Sequence, residues 1–440
     1  MKILQLGKFY PIRGGVEKVM WDLTRGLSGR GVDCDMLCAM LSGDGFDEAD
    51  APLVEDGPQE RGVRAVIRFN DHGCVICVKS MAKVAATMLS PAMVFWLRRH
   101  AREYDIIHVH HPDPMACLAL WLSGYKGRVI LHWHSDILKQ KGLLTLYRPL
   151  QKWLVRRAEK IVGTTPVYVA QSPDLQSARH KVTYLPIGIE DNIRIVSVSM
   201  SSDGDCTPDD ASLRSAPPQA VPPLTLPRSR GCSQQAYEML AARAEGLEPA
   251  GMARSAGVQS PSPDRETTIF SLGRLVEYKG FKYLIEAAAL LPENYHVLIA
   301  GKGPLKEELQ SQIDAVAPGR VELLGFVSDA RARELYNACD VFVLSSVMKT
   351  EAFGIVQLEA MSCGKPVIAT HIPGSGTDWV NEDGVSGKNV PSCDAKALAE
   401  AIMEVCGEGY EDFSQGARTR YEKLFTFDRM VEGALKIYEN

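Results

Sequence analysis

Short apolar runs, each closed by glycine or a polar turn, alternate along this chain with longer stretches whose apolar residues recur at helical spacing. Runs too short for a helix and bounded by breakers read as buried strands, and strand–helix alternation predicts parallel sheets with helices on their faces. Residues 3–6 are the first such strand. The loop Gly7-Lys8-Phe9-Tyr10-Pro11-Ile12-Arg13-Gly14-Gly15 then feeds a helix beginning near Val16. A second strand is predicted over 32–38, a helix over 81–102, and an amphipathic cationic stretch over 139–157. Strands at 105–113 and 129–136 end in histidine clusters, and 161–165 and 182–189 complete the array.

A second array starts at 267–274 and passes through the loop 275–280 into a helix over 281–291. It continues with strands at 296–300, 321–325, 341–344 and 366–369, a helix stopped by Gly364, and a last helix from near Phe427. Between the arrays, residues 197–265 hold nine of the twenty-five prolines, much serine and glycine, and no core pattern. Pro217-Pro218 and Pro222-Pro223 forbid regular structure locally, leaving only 234–245 as a helix candidate. The predicted organisation is an α/β domain over 1–192, a disordered insertion over 197–265, a second α/β domain over 266–425, and a C-terminal helix over 426–440.

Composition narrows the function classes. A chain of 440 residues with 45% hydrophobic and 23% charged residues is globular, and a net charge of −5 gives no sign of nucleic acid as a partner. No apolar run reaches the roughly eighteen residues of a membrane span. The N-terminus runs straight into a strand, with no room for a signal peptide, so the cytoplasm is the expected compartment. Eleven scattered cysteines argue for reduced thiols. Cys74 and Cys77, on a strand, would face opposite sides.

The chemistry concentrates at strand ends, where open α/β sheets bind ligands. Glu351 and Glu359 are separated by seven residues, the first on a loop and the second inside a helix, on the order of 10 Å apart at about 1.5 Å rise per residue. Between them lie the backbone N–H groups of Phe353, Gly354 and Ile355, at the positive end of a helix dipole. Arg274 and Lys279 follow one strand and can converge on one anion, Arg as a planar fork and Lys as a point charge. Gly14 and Gly15 admit a ligand to the start of the first helix. Asp33-Cys34-Asp35 imitates a metal–diphosphate D-x-D but stands at the wrong end of its strand, and Asp203-Gly204-Asp205 falls in the insertion.

His108, His110, His132 and His134 point to a metal as a rival reading, that of a metal-dependent hydrolase; no third His or Asp cluster supplies the remaining ligands. Cationic–aromatic mixtures at 95–102 and 139–157 suit contact with anionic lipid.

Gly14-Gly15, Arg274…Lys279-Gly280, Gly325-Phe326-Val327 and Glu351-x7-Glu359, in that order, resemble the retaining GT-B glycosyltransferases of family 4. The resemblance covers both arrays and leaves out the insertion. It implies two Rossmann-like domains facing a central cleft, with a nucleoside-diphosphate sugar held mainly by the second. In that pattern Arg274 and Lys279 hold the diphosphate with no metal or other cofactor, Glu359 the ribose, and Glu351 the sugar. Phe353, Gly354 and Ile355 assist through backbone groups, Val327 lies by the base, Gly15 admits phosphates, and His134 sits near the reacting sugar. The opening Gly7-Lys8-Phe9-Tyr10-Pro11 and the His134-Ser135-Asp136 turn look like bacterial O-antigen or exopolysaccharide mannosyl- or rhamnosyl-type enzymes, implying a GDP-mannose or GDP-deoxyhexose donor. The acceptor would be an oligosaccharide or lipid-linked, reached peripherally at the inner face of the membrane. A sugar-nucleotide-binding protein without catalysis is the remaining alternative, because the insertion departs from the pattern.

Overall fold

The strands assemble into two large sheets and one two-stranded ribbon. The computed structural model describes residues 1–47, 50–55, 60–84, 87–137, 141–193 and 266–440. The predicted insertion and its 234–245 helix lie outside them.

The first domain runs β1 (Lys2–Phe9), α1 (Gly15–Ser28), β2 (Asp33–Leu41), β3 (Val63–Asn70), β4 (Gly73–Ser80), β5 (Ala82–Val84), β6 (Thr87–Leu89) and α2 (Pro91–His100). It continues with β7 (Ile106–His111), α3 (Pro114–Ser123), β8 (Arg128–Trp133), α4 (Lys141–Arg157), β9 (Lys160–Gly163), α5 (Pro166–Gln171) and β10 (Val182–Tyr184). Its sheet has the order β10-β9-β8-β7-β1-β2-β4-β3, parallel except where β3 meets β4. Chain direction across this sheet reverses between β1 and β7, so the loops after those two strands diverge and leave a crevice.

The second domain runs β11 (Thr267–Leu272), β12 (Tyr295–Ala300), β13 (Val321–Gly325), β14 (Val341–Leu344), β15 (Val367–His371) and β16 (Gly387–Pro391). Its order, β13-β12-β11-β14-β15-β16, is the doubly wound 3-2-1-4-5-6 arrangement, with the switch point between β11 and β14.

Two parts of the first domain differ from the sequence reading. The helix predicted over 81–102 exists only from Pro91. Ahead of it β5 and β6 form an antiparallel ribbon. Alanines favour a helix there, but proline cannot continue one and is suited to start one; Ser90 Oγ accepts from the Met93 N–H at 3.3 Å. The β3–β4 hairpin was not foreseen. Its alternation does separate the two thiols: Cys77 Sγ lies 3.8 Å from Cys38 Sγ, while Cys74 turns to Asp35.

The C-terminal helix (Phe427–Glu439) lies against α1 of the first domain. The Ile189 N–H donates to the Phe425 carbonyl at 2.9 Å, and the Ile189 carbonyl accepts from the Phe427 N–H at 2.8 Å. Met430, Val431, Ala434 and Tyr438 are buried, the larger ones worth roughly 1.5–3 kcal/mol each as an upper bound. An apolar cluster that includes Ile3 and Leu27 of the first domain and Phe270 and Leu358 of the second runs through this helix.

Candidate functional site

The switch point of the second sheet lies between the loops that leave β11 and β14, and those loops carry Arg274, Lys279 and Glu351. Lys279 Nζ donates to Glu351 Oε2 at 2.5 Å, and Ser346 Oγ donates to the same oxygen at 3.0 Å. The two charged side chains are 10% and 12% exposed, so the pair is nearly dry. Arg274 is exposed beside them, its guanidinium donating to Tyr278 Oη at 3.3 Å. Gly280 makes this convergence possible. Its φ is +63°, and a Cβ there would stand 2.2 Å from the Ser345 carbonyl oxygen. Only glycine lets the two loops approach that closely.

The chain then enters the helix Ile355–Ser362 through Gly354, at φ +76°. Phe353 is buried beneath the loop, and the Gln357 side chain donates back to the Phe353 carbonyl at 3.0 Å. The first N–H groups of this helix have no intrahelical acceptor. Glu359, one turn in, accepts from Tyr336 Oη at 2.6 Å. Burial pushes the Glu359 carboxyl up, against the Tyr336 hydrogen bond that favours its charged form. Ser375 Oγ donates to the Glu351 carbonyl and fixes the loop from the β15 side.

The first domain faces this helix. Ile355 Cδ1 would be 3.0 Å from a Cβ on Gly15, so the starts of α1 and of Ile355–Ser362 meet across the cleft. Gly14 caps α1 in extended backbone, with the Glu17 carboxylate folded against it. Lys349 Nζ crosses from the second domain to Asp136 Oδ2 at 2.9 Å. Asp136 Oδ1 accepts from Trp133 Nε1 at 3.0 Å and Ser172 Oγ at 2.7 Å. Val327, half-buried after β13, packs on the same core, beside exposed Phe326 with Lys302 Nζ 5.0 Å from its ring centroid.

His134 closes the turn one residue beyond β8. In the register of β7 and β8, His110 lies opposite His132. Alternation then puts His108, His110, His132 and His134 on one face and His111 on the other, flat against Trp133 at 3.8 Å. The four rings form a stacked column, His132 and His134 at 4.0 Å. Burial holds all four neutral, His132 down to about 3 and the others well below the ordinary range. Gln5 Nε2 donates to Tyr438 Oη at 3.1 Å, so its Oε1 accepts from His110 Nε2–H at 2.8 Å. His110 Nδ1 is then bare and accepts from His134 Nε2–H at 2.9 Å. His134 keeps Nδ1 as an acceptor.

The metallohydrolase reading does not survive this packing. His108, His110 and His132 are 1% exposed or less, which leaves no opening for a substrate. The D-x-D aspartates are structural: Asp33 pairs with His72, and Asp35 accepts from Tyr104 Oη and the Cys74 N–H.

The structure thus brings Lys279, Glu351 and the helix start at Ile355 together at one crevice, Gly15 opposite it and Arg274 at its edge. Sequence reasoning missed Ser346, Ser375, Tyr336 and the Asp136–Lys349 pair. Single serines, tyrosines and lysines in loops form no pattern before the fold supplies their partners.

Comparison with known proteins bears on the family and the fold. Residues 14–188 match the glycosyl transferase 4-like domain, and residues 256–420 match glycosyl transferases group 1. The O-antigen chain mannosyltransferase C of Escherichia coli is 28% identical over 444 residues, spanning 100% of this chain and 98% of the relative. The D-rhamnosyltransferase WbpZ of Pseudomonas aeruginosa is 27% identical over 430 residues, 97% of this chain and 92% of the relative. The crystal structure of Anabaena HepE in complex with UDP and glucose superposes with a TM-score of 0.66 at 18% identity, covering both chains fully. With those two domains in that order, and relatives aligned from end to end, the chain belongs to the group 1 glycosyltransferases and has their GT-B fold.

Proposed function

We propose that this glycosyltransferase moves a hexose, with retention of anomeric configuration, from a nucleoside-diphosphate sugar to a lipid-linked or polysaccharide acceptor, with no metal in the chemical step. The observation that carries the proposal is the nearly dry Lys279–Glu351 pair beside Arg274, at the switch point of the donor-side sheet. A buried ion pair with exposed Arg274 at its edge suits an incoming diphosphate: Lys279 turns to the phosphate oxygens, and Glu351 is released to sugar hydroxyls. Fixed cations of this kind stabilise a departing diphosphate by roughly 2.7–4 kcal/mol per donor group. The starts of α1 and of Ile355–Ser362, with Gly15 between them, offer further N–H groups to anionic oxygens. Glu359 takes the ribose, exchanging its bond from Tyr336, and Val327 borders the base. His134, neutral, offers Nδ1 as an acceptor to a sugar hydroxyl.

The full-length likeness to a mannosyltransferase and a rhamnosyltransferase of O-antigen type supports GDP-mannose or a GDP-deoxyhexose as donor and an O-antigen-like acceptor. Exposed Phe95 and Trp121 beside Arg98 and Arg99 suit peripheral contact with an anionic membrane, where a lipid-linked acceptor resides. Among the described residues no helix is long and apolar enough to cross one.

A thermal-shift panel of GDP-, UDP- and ADP-sugars selects the donor. Nucleoside diphosphate release in EDTA, with Arg274→Ala and Glu351→Ala alongside, then tests the chemistry. The wild type is expected to turn over and the variants to fall at least a hundredfold; variants within threefold of wild type would end the proposal. Product NMR reads the anomeric outcome.

A further inference from the structure

We propose that His108, His110 and His132 form a structural site for a divalent transition metal, Zn²⁺ by its chemistry, beneath the C-terminal helix. One ring nitrogen from each lies within 4.8 Å of the other two. His132 has no hydrogen-bond partner for either nitrogen and His108 none for Nε2, although all of these atoms are buried. Buried imidazole nitrogens without partners are costly and rarely retained. A metal would engage two of these three atoms, His108 Nε2 and one nitrogen of His132, with His110 supplying the third ligand.

The surrounding bonds hold one nitrogen of two of these rings and leave the other for an ion. His108 Nδ1 is held by Tyr438 Oη at 2.7 Å, leaving Nε2 for the ion. His110 Nε2–H is held by Gln5 Oε1, leaving Nδ1. This is how imidazole ligands are usually oriented, by a hydrogen bond at the other ring nitrogen. Zn–N bonds of about 2.0–2.1 Å require nitrogens roughly 3.3 Å apart, so the rings must rotate inward by about an ångström. His110 Nδ1 would exchange its bond from His134 for the metal. An all-imidazole set suits zinc, copper or nickel over magnesium or calcium. Such an ion would tie β7 and β8 to Tyr438, and so to the helix that crosses between the domains. Buried as it is, the site stabilises the fold, and it touches the proposed reaction only through His134, which gives up its bond to His110.

The test uses full-length protein without an affinity tag, stripped in EDTA and equilibrated with Co²⁺ or Zn²⁺. The wild type is expected to bind one equivalent at micromolar affinity or better, with the visible ligand-field bands of nitrogen-coordinated Co²⁺. At a hundredfold excess over Kd its melting temperature should rise by roughly 3 °C. His132→Phe fills the same space without orphaned nitrogens, so it should fold, melt at or above the stripped wild type, and bind no metal. Failure of the wild type to take up either ion, or equal uptake and equal shift in His132→Phe, would overturn the site.

Discussion

Lys279→Met separates the electrostatic role of the donor-side pair from its structural one. The methionine keeps the buried stem and removes the charge. Glu351, 12% exposed, then loses a 2.5 Å charged bond and retains only Ser346 Oγ at 3.0 Å as a side-chain partner for Oε2. An orphaned, nearly buried carboxylate costs about 2–4 kcal/mol. Adding Glu351→Gln removes the orphaned charge, so the double variant should recover about 1–3 kcal/mol relative to the sum of the two single changes. Turnover should behave differently. If Lys279 steadies the departing diphosphate, kcat falls about 10²–10³-fold in Lys279→Met and is not restored in the double variant. Urea unfolding midpoints of the four proteins give the coupling, and nucleoside diphosphate release at saturating donor gives kcat. A coupling below about 0.5 kcal/mol would mean the pair is not formed in solution. A kcat within threefold of wild type would remove Lys279 from the chemistry.

Gly280→Ala forces a Cβ to within 2.2 Å of the Ser345 carbonyl at a left-handed φ, so a loss of at least about 2 kcal/mol and a raised donor KM are expected. A loss under about 0.5 kcal/mol in urea unfolding would show that the two loops are not tightly apposed. Asp136→Asn keeps an acceptor for Trp133 and Ser172 but breaks the pair with Lys349, so stability falls by about 1–3 kcal/mol and scattering profiles shift towards open conformers; an unchanged profile and midpoint refute the interdomain contact. The buried histidines set an acid limit. His132 is held neutral to about pH 3 in the folded chain but protonates near 6.5 when unfolded, so its contribution is whole above pH 6.5 and is lost as pH falls towards 3. At pH 5 that is about 2 kcal/mol, and His132→Phe, compared with wild type in EDTA, should show a pH slope shallower by one proton. Parallel slopes contradict the burial of that ring.

What the residues determined alone was local and periodic: strands from apolar runs, helix ends from glycine and proline, and loops at strand exits bearing Arg274, Lys279 and Glu351. Those follow from backbone sterics and alternation, which act over a few residues. Alternation also foretold that Cys74 and Cys77 would part. It failed at 81–102, where alanine propensity hid a strand ribbon ahead of Pro91. Tertiary structure alone decided which loops meet. Nothing within 270–280 or 345–354 specifies that β11 and β14 are neighbours, yet that adjacency brings Lys279 to Glu351. The register of β7 against β8 likewise turned two histidine clusters into one buried column, and the returning C-terminal helix placed Tyr438 against it. Burial and partnership are properties of the packed chain, because they depend on segments hundreds of residues apart closing over the same atoms.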